Sequence, residues 1–206
     1  RAVRILSTPI GHSTHQQPAE VKSVYQNKGQ RFARVAGVET RMAQVIDATW
    51  RVMPRVQFLG TGNAFSPHGR MHALVLIDRK ILVDAPPTLL PQLRRTGVSS
   101  DEIEHLLFTH WHADHMFGFP FLILERKVVS NAENSLNVYL RPGGKEILSN
   151  LSKLGFPGSL NEVINDDINW LEKESGEIEN SDWSYERFQV IHTPETDPHG
   201  YILTHK

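Results

Sequence analysis

The sequence predicts an α/β fold, a β-sheet covered by helices, and two observations carry that prediction. Short continuous apolar runs bounded by turn residues, at 73–77, 81–83 and 106–108, read as strands. Strands come first along the chain and then alternate with segments of helical period, the order expected of a sheet with helices packed against it. The 206 residues, 39% apolar and 22% charged, suffice for one domain with a sizeable core.

Residues 1–54 read as an N-terminal extension of uncertain order. Polar, turn-like stretches such as Gly11-His12-Ser13-Thr14-His15 show no clean alternation, and residues 19–25 are the one short helical candidate there. The domain proper is assigned to residues 55–206. Val56-Gln57-Phe58-Leu59 is a strand running into the glycine-rich turn Gly60-Thr61-Gly62-Asn63. The runs 73–77 and 81–83, joined by Asp78-Arg79-Lys80, form a hairpin. Pro86-Pro87 opens a helix over 88–95 that Gly97 stops, since proline costs little in a first turn and glycine suits a C-terminus. Ser99-Ser100-Asp101-Glu102 has the form of a helix start. A strand at 106–108, a buried helix over 117–127 and a strand at 136–140 follow. In 144–154, Ile147, Leu148, Leu151 and Leu154 fall on one helical face with Gly155 as the cap. Strands at 168–173 and 183–191, and one beginning at Tyr201, complete the pass.

Composition excludes several classes. Without cysteine there is neither a disulfide scaffold nor a thiolate zinc site. A net charge of −1 lacks the basic excess of a typical nucleic-acid-binding domain. No run approaches the ~18 apolar residues of a membrane span, and no apolar leader of secretory type is visible, so a cytoplasmic setting without membrane association is expected. The chain starts at Arg1, which suggests a processed or truncated product.

Histidine is the unusual count, at 11, and its placement is more telling than its number. The strand at 106–108 delivers the chain into Thr109-His110-Trp111-His112-Ala113-Asp114-His115. His110 and His112 are two apart, so in extended backbone they leave on the same side and can converge on one metal ion. Asp114 and His115 follow and face elsewhere, which suits a second ion about 3.5–4 Å from the first.

His110-Trp111-His112-Ala113-Asp114-His115 resembles the HxHxDH signature of the metallo-β-lactamase superfamily. Phe58-Leu59-Gly60-Thr61-Gly62, the Pro67-to-Arg70 turn and Leu82-Val83-Asp84 resemble its opening, most closely in the ribonuclease Z and phosphodiesterase branch. The resemblance spans about residues 55–206 and implies an αββα sandwich, here apparently without its C-terminal part. It implies that His110 and His112 bind a first ion, that Asp114 and His115 bind a second, and that Asp114 touches the attacking water. Asp84 becomes a buried support for the metal loop. The third ligand of the first ion is expected from Val190-Ile191-His192-Thr193-Pro194, ahead of Gly200-Tyr201, with His192 the candidate and His199 its rival. Arg70 and His199 are the candidates for substrate contact. The superfamily's bridging aspartate and last histidine would lie past Lys206. Ala85-Pro86-Pro87 stands where ribonuclease Z carries Cys-Gly-Glu-Gly.

The resemblance therefore implies a hydrolase using metal-bound hydroxide on a phosphodiester or related ester. Two zinc ions are expected, with manganese or iron as alternatives. The substrate would be a small molecule or a nucleic-acid ester, and a homodimer is compatible with this reading. A lactonase or other carboxylic-ester hydrolase is the alternative within the fold, and a non-catalytic metal-binding scaffold the alternative outside it.

Overall fold

The computed structural model describes residues 2–5 and 53–206. The runs at 73–77 and 81–83 are apolar throughout because both faces of their strands are covered. In β3 (Leu74–Ile77), Leu74 and Leu76 enter a core shared with helices, while Val75 and Ile77 enter a second core against another sheet. β4 (Ile81–Val83) divides the same way, with Leu82 on the helix side and Ile81 and Val83 on the other. Side chains alternate, yet both sets are buried, so the polar half of the pattern disappears.

These strands join β2 (Val56–Gly60), β5 (His105–Leu107), β6 (Leu136–Tyr139) and β7 (Ile168–Leu171) in a six-stranded sheet of order β2-β3-β4-β5-β6-β7. The first three pair antiparallel and the rest parallel. Parallel neighbours need crossovers, and helices supply them: α1 (Leu89–Thr96) before β5, α2 (Ala113–Met116) and α3 (Phe119–Val128) before β6, and α4 (Gly144–Gly155) and α5 (Asn161–Asp166) before β7. The second sheet is antiparallel, of order β1-β10-β9-β8, from β1 (Ala2–Ile5), β8 (Ser175–Glu177), β9 (Trp183–Gln189) and β10 (His199–His205). Trp183, Tyr185, Tyr201 and Leu203 of this sheet meet Ile77, Ile81, Val83, Leu107 and Tyr139 of the first. Three of the four expected αββα layers are thus present among the described residues. No helix among them is long and apolar enough to cross a membrane.

Several details differ from the sequence expectation. Residues 2–5, assigned to the extension, form a strand that pairs with β10 from Ala2↔Thr204 to Ile5↔Tyr201. The helical candidate at 19–25 lies outside the described residues. α5 and β8 were not anticipated: Asn-Glu-Val-Ile-Asn-Asp is a poor helix former, and Ser-Gly-Glu is an exposed edge with no apolar face. Leu154 is 81% exposed rather than buried. The inward stripe of α4 is instead Gly144, Leu148 and Ser152, four residues apart. The reason is steric, since a Cβ on Gly144 would lie 2.5 Å from the Trp111 ring. The buried Ser152 hydroxyl is satisfied by donating to Leu148 O at 2.8 Å.

The 78–80 hairpin forms as expected, with φ of 47° at Asp78 and 64° at Arg79, the left-handed pair that a type I′ turn requires. Asp78 also accepts from the Trp183 indole N–H at 2.7 Å, tying this turn to the second sheet.

Candidate metal centre

In a parallel sheet, ligand sites gather at the C-terminal ends of the strands. β4 and β5 are adjacent there, and each is followed at once by polar residues. Asp84 follows β4 and adopts φ 68°, a conformation that Asp tolerates better than most residues. Its backbone N–H donates to Leu107 O at 2.8 Å, extending the ladder by one bond. Its buried carboxylate then faces the loop that leaves β5.

That carboxylate can only accept, so the direction of every bond around it is set. Thr109 N–H donates to Oδ1 at 2.8 Å, and the Thr109 hydroxyl donates to Oδ2 at 2.8 Å. His115 Nδ1–H donates to Oδ2 at 2.7 Å. With its proton committed to Asp84, the Thr109 oxygen accepts from His110 Nδ1–H at 3.0 Å. This relay leaves His110 Nε2 as a bare nitrogen.

His110 Nε2 lies 3.1 Å from His112 Nδ1, and His192 Nε2 lies 3.0 Å from the same atom. All three donor atoms fall within 4.8 Å of one another. Burial, reinforced by the neighbouring imidazole of His115, pushes the pKa of His110 down to about 3. Burial and the nearby His112 also hold His192 below the ordinary histidine value. Neutral imidazoles are the metal-binding form. Two nitrogens each ~2.1 Å from a tetrahedral zinc lie roughly 3.4 Å apart, close to the separations here. Three imidazole nitrogens at this spacing fit the donor set of a divalent metal. Imidazole donors accept zinc, manganese or iron.

Asp114 and His115 sit on α2, whose first turn begins at His112; His115 N–H donates to His112 O at 2.9 Å. They are not part of the converging group. His115 Nε2 instead lies 3.5 Å from Asp114 Oδ2, a second nitrogen–oxygen pair beside the three histidines. Burial disfavours the His115 imidazolium, but the carboxylates of Asp84 and Asp114 outweigh it and hold its pKa above the ordinary value.

His192 arrives from beyond β9 on a segment stitched to the histidine loop. Trp111 N–H donates to Thr196 O at 3.2 Å, and His199 N–H donates to Thr109 O at 3.0 Å. His199 itself is not brought to the cluster, either as the rival ligand or as a substrate contact. It is 2% exposed, with Nδ1 3.3 Å from Asp197 O and Nε2 3.3 Å from the Tyr201 hydroxyl. Its place inside strand β10 turns it inward. Arg70 is exposed after the 3₁₀ turn Pro67–Gly69, its N–H donating to Pro67 O at 3.2 Å; no described contact ties its side chain to the histidines.

Thr109 is the functional residue that sequence reasoning passed over. Its signal was positional, a hydroxyl ending an apolar strand immediately before the first histidine. Gly118, between α2 and α3, is a second. Ala85 N–H donates to His115 O and Gly118 N–H to Ala85 O, both at 2.7 Å, and a Cβ on Gly118 would fall 2.0 Å from Pro86 O. Only glycine lets the 85–87 run lie this close beneath the site.

Residues 54–205 match the family described as Anti-Pycsar protein Apyc1. Over 107 residues, 50% of this chain, the sequence is 34% identical to a ribonuclease Z of Methanocaldococcus jannaschii, covering 33% of that protein. Over 116 residues, 53% of the chain, it is 34% identical to the Anti-Pycsar protein Apyc1 of Paenibacillus sp. (strain J14), covering 47% of it. The chain therefore spans about a third to a half of the length of these relatives. In three dimensions it is similar to the metallo-β-lactamase fold protein YhfI of Bacillus subtilis, with a TM-score of 0.56 at 15% identity, over 73% of this chain and 58% of that one. The chain has a metallo-β-lactamase fold, half of it is similar in sequence to ribonuclease Z, and it belongs to the Anti-Pycsar protein Apyc1 family.

Proposed function

We propose that this chain carries a metal-dependent hydrolytic centre acting on a phosphodiester or related ester. One observation carries the reading: His110 Nε2, His112 Nδ1 and His192 Nε2 converge within 4.8 Å. Three protein donors are the ligand count of a catalytic site that keeps a position open, where a structural site would close it with a fourth. A divalent cation bound there lowers the pKa of a coordinated water to about 7 and polarises a phosphoryl or carbonyl oxygen.

The chain's own residues do the rest. Thr109 and Asp84 hold His110 with its Nδ1 protonated and its Nε2 bare. Asp84 accepts from His115 Nδ1–H, so Nε2, beside Asp114, is the nitrogen that would give up its proton to join Asp114 as the donor pair for a second ion. Asp114 accepts a hydrogen bond from the attacking water and aims it at the ester. Zinc is the first candidate for both ions, ahead of manganese and iron. The ester class is supported by the ribonuclease Z relative, whose name describes cleavage of RNA.

The test is metal stoichiometry on the full-length protein, paired with hydrolysis of a chromogenic phosphodiester and of a lactone. Bound metal and chelator-sensitive phosphodiester cleavage are expected. Preference for the lactone would move the reading to a carboxylic-ester hydrolase, and metal without either activity to a binding scaffold. Failure to take up metal would end it.

A further inference from the structure

We infer that Tyr201 is a positioning residue for the histidine site, its hydroxyl fixing the strand end from which His110 and His112 depart; this rests on the metal-binding reading above. Tyr201 belongs to β10 in the second sheet and is 0% exposed, yet its hydroxyl reaches across the inter-sheet core to the first sheet. It donates to Phe108 O at 2.9 Å, with Tyr139 O next at 3.4 Å. Those carbonyls lie at the C-terminal ends of the neighbouring parallel strands β5 and β6. A single O–H serves the nearer acceptor, and Phe108 stands two residues before His110.

The hydroxyl oxygen is occupied as well. Arg187 Nε–H donates to it at 3.3 Å, and His199 Nε2 lies 3.3 Å away on another side. Arg187 is itself buried, its guanidinium 5.7 Å from the Tyr201 ring centre and its other N–H groups directed at the Glu172 and Leu171 carbonyls at 3.4 Å. A buried cation on the oxygen polarises the O–H and strengthens its donation to Phe108. Phenylalanine would fill the same space. The hydroxyl, and the buried arginine behind it, act on one point of backbone.

That point matters because the three histidines come from two chain segments. His110 and His112 ride on the end of β5, and His192 on the segment between β9 and β10. Tyr201 is two residues past His199, whose N–H donates to Thr109 O, so one strand grips the carbonyls of both Phe108 and Thr109. Releasing Phe108 frees the His110 backbone to move relative to His192, and a metal site is sensitive to such displacement.

The test uses the full-length protein, titrated with zinc against a chromophoric chelator and, separately, loaded with Co2+ for absorption spectroscopy. Tyr201→Phe is expected to weaken zinc binding about 10- to 100-fold and to alter the Co2+ ligand-field bands while far-ultraviolet circular dichroism stays as in wild type. Tyr185→Phe is the control: it deletes a comparable bond in the same core, from the hydroxyl to Lys173 O at 3.0 Å, away from the histidine loop. Its zinc affinity should stay within about threefold of wild type. Wild-type affinity and an unchanged Co2+ spectrum in Tyr201→Phe would overturn the inference, and so would equal losses in both variants. If wild type bound neither ion, the metal-binding reading would fall and take this one with it. Should Tyr201→Phe not fold, Arg187→Met takes its place, with an expected loss of about 3- to 10-fold; no loss would overturn the inference.

Discussion

Asp84 Oδ2 and His115 Nδ1, 31 residues apart in the sequence, lie 2.7 Å from each other beneath the histidine cluster. The same carboxylate holds Thr109 through two donors. An amide in its place has one oxygen to accept with, so Asp84→Asn must release Thr109 or His115. Metal affinity is expected to fall about 10- to 100-fold, the usual cost of losing a group that orients ligands. Chelator competition measures it. The backbone adds a second expectation. At φ 68°, asparagine is tolerated and alanine is not. Asp84→Ala should be less stable than Asp84→Asn by about 1–2 kcal/mol in metal-free protein. Equal melting temperatures for the two variants would reject the backbone argument.

His112 Nδ1 is the atom to which both other histidine nitrogens come closest. His112→Ala should remove at least one ion per chain and lower phosphodiester hydrolysis by about a hundredfold or more. Its side chain is half-buried, so the cost to the metal-free fold should stay within about 0.5–1 kcal/mol. Adding metal should raise the melting temperature of wild type, by mass action on the folded state, and leave that of the variant nearly unmoved. Calorimetry with and without chelator separates these outcomes. A variant with unchanged metal content and activity would count against the site.

Much of this arrangement is legible in one short stretch of sequence. Residues two apart in extended backbone leave on the same side, so the relation of His110 to His112 is local. The positions of β3 and β4 follow from apolar runs, which the structure explains by covering both faces of each strand. What the sequence does not disclose depends on contacts far apart in the chain. Nothing near His115 announces that Asp84 will accept its Nδ1 proton. Nothing near His199 announces that its ring turns inward to Tyr201 while its backbone meets Thr109. The pairing of residues 2–5 with β10 spans nearly the whole chain and leaves no mark on local periodicity. Leu154 lies outside because helical period finds an apolar face but not the indole of Trp111, which gives the small residue Gly144 the inner position.

Gly118 carries a purely steric prediction. Its φ of −79° is ordinary for any residue, so conformational freedom is not the issue. An added Cβ would meet Pro86 O at 2.0 Å and Ala85 O at 2.8 Å, both backbone atoms that cannot rotate away. Gly118→Ala should therefore destabilise by about 3 kcal/mol, at the upper end for overpacking. That corresponds to a fall of roughly 6–12 °C in melting temperature for a chain of this size. Because the 85–87 run also bonds to His115 O, metal affinity should fall with it. A melting temperature within a degree or two of wild type would show that the run can shift at little cost.

His105 opens β5 at the end opposite the histidine loop and is 1% exposed. Its Nδ1 lies 3.0 Å from the Tyr139 hydroxyl, and its Nε2 has no hydrogen-bond partner among the described residues. Burial pushes its pKa from 6.5 down to about 4, against a smaller opposing pull from Glu104. The unfolded chain therefore binds a proton here that the folded chain refuses between pH 6.5 and about 4, and stability falls as pH drops through that window. At 1.36 kcal/mol per unit, the full effect is about 3 kcal/mol. His105→Gln keeps a polar partner for Tyr139 but does not titrate. Denaturant unfolding of chelator-treated protein at pH 7, 6, 5 and 4 should show a shallower acid loss for the variant than for wild type, the difference approaching about 3 kcal/mol near pH 4. Parallel curves would mean that His105 protonates inside the folded protein without penalty, and that its orphaned nitrogen is reached by water.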